Sequence, residues 1–252
     1  MAQITQRAAR DDVPAPTVER DYVLAHIMAA IGKLGNDHGL VFKGGTALRL
    51  CYFRDYRYSA DLDFSMIGGS IASGYAIIED AFALVTGAVN GLNLTGEEPK
   101  RIAYQGPMGG QRSLKLDITD DEYVLNVDTI QLLPHWPDLP ASITVPVYTP
   151  SEIAGEKLRC VMQRMQCRDL FDLWFLFEDA DVDPYDAVEI FSSKATHRNL
   201  NPRDFKSKYE VRLQQYRRRW TDELGDHVPG QVPHFKDVER SVRRLLRGVG
   251  IL

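Results

Sequence analysis

Apolar residues Val23, Ile27, Ala30, Ile31 and Leu34 recur at helical spacing behind Thr17 and Glu19. This predicts a capped amphipathic helix that stops near Gly35 and Asn36. The segment LVFK then predicts a short strand closed by Gly44 and Gly45, followed by a helix over about 46–53 and a strand over about 61–66. A further helix is expected over roughly 70–89. The segments KRIAY, RSLKLDIT, EYVLNVDTI and ITVPVY read as strands. Strand patterning stops near Thr149, where Thr149-Pro150-Ser151-Glu152 forms a capping box with proline at the first helical position. Helices are expected beyond it over 150–164 and 169–178, from Asp183-Pro184, from Asn201-Pro202, and over 235–247. The pattern predicts an α+β chain, with a mixed-sheet domain over residues 1–149 and a helical lobe over 150–252.

The chain has 252 residues, 44% of them hydrophobic and 26% charged, which is ordinary for a globular protein. No apolar run approaches the roughly 18 residues of a spanning helix, so no membrane association is expected. The first residues, MAQITQRAARDDVPAP, lack the apolar centre of a secretory signal and read as a flexible lead-in. A cytoplasmic location is expected. Cys51, Cys160 and Cys167 form no C-x-x-C pair, so neither a disulfide framework nor a zinc site is indicated. The net charge of −5 hides an asymmetry: residues 194–252 carry 14 Lys and Arg against 7 Asp and Glu, a net +7, and the rest carries −12. A basic tail on an acidic body favours a polyanionic partner at one end only.

Candidate chemistry concentrates in FKGGTALRLCYFRDYRYSADLDFS. Gly44 and Gly45 let backbone approach a phosphate closely, with the amides of the following helix and the Thr46 hydroxyl as donors. Lys43 stands just before this turn. A plain turn would use the same glycines, but Asp61 and Asp63 follow on one face of a strand while Leu62 and Phe64 take the other. In RSLKLDIT, Leu114, Leu116 and Ile118 alternate with Lys115 and Asp117, so Asp117 becomes a third carboxylate; Asp128 competes for that place on a less clearly amphipathic segment. Crowded carboxylates repel and are costly to desolvate, a situation that a hard cation such as Mg²⁺ or Mn²⁺ relieves. Three acids on neighbouring strands suit two metal ions about 3.5–4 Å apart, the arrangement of nucleotidyl transfer. The bland alternative is a solvated strand end.

In the helical lobe, Lys157 falls on the apolar stripe of Ile153, Ala154, Leu158, Val161 and Met162. It must snorkel, find a carboxylate such as Asp169 or Asp172, or meet a ligand phosphate. Lys206, Lys208, Arg212, Arg217, Arg218, Arg219 and Trp220 mark a basic helix. Arg212, Arg217 and Arg219 are its candidate RNA contacts, Arg218 the weakest because Val211 and Leu213 with Tyr216 and Trp220 suggest the apolar side, and Trp220 is also a candidate stacking platform.

Taken together, Gly44-Gly45-Thr46, Ser59-Ala60-Asp61-Leu62-Asp63, Lys115-Leu116-Asp117, Glu156-Lys157-Leu158 and Arg168-Asp169-Leu170-Phe171-Asp172-Leu173 resemble the four motifs of the AbiEii-type nucleotidyltransferase toxins, MenT toxins among them. The resemblance spans most of the chain and keeps the motif order. It implies a DNA polymerase β-like nucleotidyltransferase core, an NTP substrate, and a cognate antitoxin. It further implies transfer of a nucleotide, for some members a pyrimidine, to the 3′ end of tRNA, which blocks aminoacylation. Carried over residue by residue, it makes Asp61, Lys157 and Asp169 essential, with Asp63 beside them, Asp172 in support, and Ser59 a site of phosphorylation. A monomer is expected, with the oligomeric state left open. Nucleotide transfer to a protein hydroxyl and a non-catalytic nucleotide- or RNA-binding protein remain as other readings.

Overall fold

A computed structural model describes all 252 residues. The chain divides into two compact units: one holds Met1–Asp121, Asp128–Val147 and His227–Gly230, the other Glu122–Val127, Tyr148–Asp226 and Gln231–Leu252.

The first unit is built on a mixed seven-stranded sheet. Its strands are β1 (Leu40–Lys43), β2 (Asp61–Met66), β3 (Asn90–Thr95), β4 (Arg101–Gln105), β5 (Gln111–Thr119), β6 (Val127–Gln131) and β7 (Thr144–Tyr148). They lie in the order β3-β4-β5-β2-β1-β7-β6. β1 runs antiparallel to β2, and β2 runs parallel to β5. The central strands are buried because Leu62, Phe64, Leu114, Leu116 and Phe42 alternate onto covered faces, each contributing apolar area removed from water.

The N-terminal segment is not a flexible lead-in. Residues Ala2–Asp11 form helix α1, which packs on α2 (Ala15–Lys33) through the buried Ile4 and Ala8 and ends on Asp12 in a left-handed cap. Two apolar residues four apart are enough to pin a polar helix once a neighbour exists to receive them. α2 is also not amphipathic: every residue from Thr17 to Ile31 except Arg20 is buried. It starts ahead of Thr17, with Pro14 at the cap and no side-chain bond there. Its buried acids are satisfied from a distance, Glu19 by the Met108 amide (2.6 Å) and Arg112 (3.1 Å), and Asp21 by Arg49.

Further departures are local. The helix expected over 46–53 is one α-turn, α3 (Gly44–Ala47), running into a π-helical turn at Leu48–Tyr52. α4 (Ile71–Phe82) ends well before residue 89, and the unexpected β3 follows it as an edge strand, NGLNLT, in which no residue is fully buried. The segment EYVLNVDTI forms a strand only from Val127.

The second unit is helical: α5 (Pro150–Gln163), α6 (Cys167–Glu178), α7 (Pro184–His197), a 3₁₀ turn (Pro202–Asp204), α8 (Phe205–Leu224) and α9 (Phe235–Gly248). Thr149 caps α5 by accepting the Glu152 amide (3.1 Å). The reciprocal half of the capping box is absent, because the Glu152 carboxylate accepts the amides of Leu125 (3.2 Å) and Asn126 (3.1 Å) and pairs with Lys194 (2.7 Å). Lys194 also donates to the Tyr123 carbonyl (2.9 Å), so residues 122–127 are held within the helical unit by a buried ion pair. In return, residues 227–230 belong to the sheet unit, where Tyr58 donates its amide to the His227 carbonyl (2.7 Å).

Candidate functional site

At the end of β1 the backbone turns through Gly44 at φ +78°, a left-handed conformation that glycine adopts without strain. A Cβ there would stand 2.9 Å from Asp63 Oδ2, and one on Gly45 would stand 2.5 Å from Arg57 Nη2. The two glycines therefore make room for an acid and a guanidinium to press against the turn. Arg57 was not singled out from the sequence; its only signal there is its place two residues ahead of Ser59 in the motif segment. Thr46 is buried and donates its hydroxyl to the Asp61 carbonyl (2.5 Å), which ties the turn to β2. That bond commits its proton, so Thr46 does not offer the free hydroxyl donor read from the sequence. Lys43 pairs in register with Asp63 across β1 and β2 and donates to Thr119 Oγ1 (3.0 Å).

The parallel register of β2 and β5 sets Asp63 opposite Asp117 and Asp61 opposite Lys115. Burial, then the Asp61 carboxylate, and then that of Asp117 push the Asp63 carboxyl up to about 6, against the opposing pull of Lys43 and Lys115. These carboxylates are near enough to repel one another. Asp128 is excluded from the group by strand order: β6 lies three strands from β2, whereas β5 is its immediate neighbour. As the side chains stand, Lys115 holds Asp117 at 2.7 Å, and no three His, Cys, Asp or Glu side chains converge on one point. The donor chemistry still fits a divalent cation, since hard oxygen ligands on adjacent strands crowd until the Asp63 carboxyl is raised, and a cation would relieve that repulsion and displace Lys115. Ser59, two residues before Asp61, is buried at 8% exposure, so a modifying enzyme would need the loop to open.

In the helical unit Lys157 is buried and meets both candidate aspartates, Asp169 at 3.0 Å and Asp172 at 2.7 Å. The packing of α5 on α6 places them together. Arg164, which the sequence reading passed over, forks onto Asp169 through Nε (2.8 Å) and Nη2 (3.0 Å). Burial opposes ionisation of Asp169, but Lys157 and Arg164 outweigh it and hold this carboxyl below its usual range. Two cations and two anions thus form a compensated cluster, in which Lys157 and both carboxylates are buried and Arg164 reaches in from the surface.

On α8, the buried face is Phe205, Tyr209, Tyr216, Trp220 and Leu224. Arg217, Arg218 and Arg219 are all exposed, and Arg219 pairs with Glu223 one turn on. Arg212 is half-buried and donates to the Lys208 carbonyl (2.9 Å). Two expectations fail here. Val211 is 77% exposed and is not part of the apolar side, which Tyr216 and Trp220 do mark. Trp220 is 3% exposed, with its indole N–H donated to the Pro233 carbonyl (2.8 Å), and cannot stack on a base.

A family model described as the nucleotidyl transferase AbiEii toxin of a type IV toxin–antitoxin system matches residues 26–246. Among solved structures, MenT4, a nucleotidyltransferase toxin from Mycobacterium tuberculosis H37Rv, superimposes with a TM-score of 0.74 at 19% identity, over 99% of this chain and 88% of that one. An antigenic nucleotidyltransferase-like protein from Paracoccidioides brasiliensis gives a TM-score of 0.42 at 13% identity, over 77% and 93%, and carries no argument. Comparison with curated proteins gives no match. No helix is long and apolar enough to cross a membrane.

Proposed function

Because the chain belongs to the AbiEii family of nucleotidyltransferase toxins, we propose that it transfers an NMP, preferentially a pyrimidine nucleotide, from an NTP to the 3′ end of tRNA in the cytoplasm, with a cognate antitoxin restraining it. The observation that supports a role for the sheet unit is the register of Asp61 and Asp63 on β2 with Asp117 on β5, crowded enough to lift Asp63 to about 6. Asp61, Asp63 and Asp117 would hold Mg²⁺ or Mn²⁺, which supplies charge neutralisation of the triphosphate and activation of the attacking hydroxyl. The Gly44-Gly45 turn admits a phosphate close to backbone amides, as it already admits the Asp63 carboxylate, and Lys43 adds a cation beside it.

In the helical unit Asp169 is read as a positioning residue. It fixes Lys157 and Arg164 together, and Asp172 balances the remaining charge. Lys157 is the residue of that cluster assigned to the triphosphate. A compact ammonium can exchange one carboxylate for a phosphate oxygen without leaving its neighbour unpaired. Phosphorylation of Ser59 would add negative charge two residues from Asp61 and switch transfer off. Arg212, Arg217 and Arg219 are the proposed tRNA contacts on α8.

The test is to incubate the protein with total tRNA and each radiolabelled NTP in turn, with Mg²⁺ or with chelator. The label should pass to tRNA from CTP or UTP, with Mg²⁺ only, and not with Asp61→Asn. Label on protein, or undiminished transfer by a well-folded Asp61→Asn variant, would sink the reading.

A further inference from the structure

The sheet unit holds a cavity of about 330 Å³ whose charged lining is Arg7, Arg10, Arg49, Arg54, Asp11 and Asp55. It contains none of the carboxylates assigned to catalysis. We infer that this cavity is a second polyanion site, which takes a backbone phosphate of the acceptor RNA. The inference rests on the RNA reading above and deepens it.

The arginines reach the cavity from two separate pieces of chain: α1 gives Arg7 and Arg10, and the π-helical turn with the loop that follows it gives Arg49 and Arg54. Backbone carbonyls do much of the work of holding them. Arg7 donates to the His135 carbonyl, Arg49 to that of Tyr56, and Arg54 to that of Pro134 (2.9 Å). A carbonyl fixes a guanidinium fork without neutralising it, whereas a carboxylate would do both. Arg7 also lies over the buried Trp136 ring, with its Cζ 3.9 Å from the centroid, which restricts it further.

Three carboxylates, Asp11 and Asp55 in the lining and Asp21 behind it, stand against four guanidinium groups and leave a net single positive charge. Asp21, behind the lining, is taken by Arg49, with Arg7 only at 3.8 Å. Asp11 is taken by Arg10 (2.6 Å) and the Tyr58 hydroxyl (2.5 Å). Arg54 has no carboxylate partner. Burial lowers the Arg7 pKa, while Asp21 and then Tyr58 oppose it by more than Arg49 and Arg10 add to it. The charged groups lie on a body that is net negative outside the C-terminal tail. A preorganised guanidinium set in such surroundings suits a phosphate, whose tetrahedral oxygens accept from forked N–H donors. The lining offers prolines and no exposed aromatic ring, so it fits the sugar-phosphate chain and not a base.

Arg10 and Arg54 are the exposed members, so the double variant Arg10→Gln, Arg54→Gln removes charge without opening the buried Arg49–Asp21 pair. Its binding to a fluorescein-labelled tRNA transcript would be followed by anisotropy between 50 and about 200 mM salt, with NTP affinity measured alongside and circular dichroism to verify folding. The expected result is weaker tRNA binding, a log–log salt slope shallower by about 0.9 on duplex or about 0.7 on single strand, and unchanged NTP affinity. Arg54→Lys should restore part of the slope. If wild type binds tRNA and the double variant matches it in affinity and slope, the site is overturned and the RNA reading stands. If wild type binds no tRNA at any salt, both fall together.

Discussion

At the scale of single residues, two aspartates in this chain are shifted in opposite directions and should behave oppositely. Asp63 is crowded by Asp61 and Asp117 and its carboxyl is raised to about 6, so at neutral pH without metal its charge works against folding. Asp63→Asn should therefore raise the thermal midpoint of metal-free protein at pH 7 while removing the gain in midpoint that Mg²⁺ gives to wild type. A midpoint unchanged in both conditions would show that the carboxylates do not interact. Asp169 is held low by Lys157 and Arg164. A carboxyl whose folded pKa is depressed contributes stability above its unfolded value, near 4, and loses it as pH falls through the folded one. Wild type should accordingly lose stability below about pH 4, and Asp169→Asn should show a flatter acid limb from a lower starting midpoint, because Lys157 and Arg164 lose a partner. Parallel acid limbs in the two proteins would refute this.

At the scale of elements, α8 shows how far a pattern can be read. Its five buried residues fall at helical spacing, but Val211 and Leu213 looked equally apolar in the sequence, and only the helix's actual contacts decide which stripe is covered. Arg217, Arg218 and Arg219 advance by about 100° each, so they fan over most of the exposed surface and cannot all face one ligand. Replacing all three with Ala should cost one or two phosphate contacts, which reduces the salt slope of tRNA binding by about 0.9 to 1.8. Filter binding across a salt series would reveal it, and an unchanged slope would make α8 a solvated face.

The same limit explains what was legible elsewhere. Strand β2 and the Gly44-Gly45 turn could be read because alternation and glycine are local signals. The burial of Glu19 and Asp21 could not, since their partners Met108, Arg112 and Arg49 come from a remote loop, strand β5 and the π-helical turn. Arg57 and Arg164 escaped notice for the same reason: each gains its meaning from a neighbour that the chain brings up only on folding.

At the scale of the whole molecule, each unit owns a segment that the sequence assigns to the other half, and the helical unit secures its piece with one buried pair. Glu152 and Lys194 are both almost fully inaccessible. Between them they satisfy the Leu125 and Asn126 amides and the Tyr123 carbonyl, and Arg198 adds a bond to Glu122 (3.2 Å). Residues 122–126 have no ladder of their own, so they are ordered by these bonds and the pair, with the Thr149 amide on the Asn126 carbonyl and the His197 ring against Tyr123 in addition. Lys194→Met keeps the length of the side chain but leaves Glu152 buried without its cation, a change that costs about 3–5 kcal/mol when a buried pair is broken from one side. The expected outcome is a lower thermal midpoint and new chymotryptic cleavage at Tyr123. Adding Glu152→Gln should restore much of the midpoint, since the neutral amide needs no counter-ion and its oxygen can still accept from one of the two amides. Resistance at Tyr123 in the single variant would show that 122–127 is ordered by something other than this pair. Failure of Glu152→Gln to rescue would place the cost in the lost Lys194 contacts and not in the stranded charge.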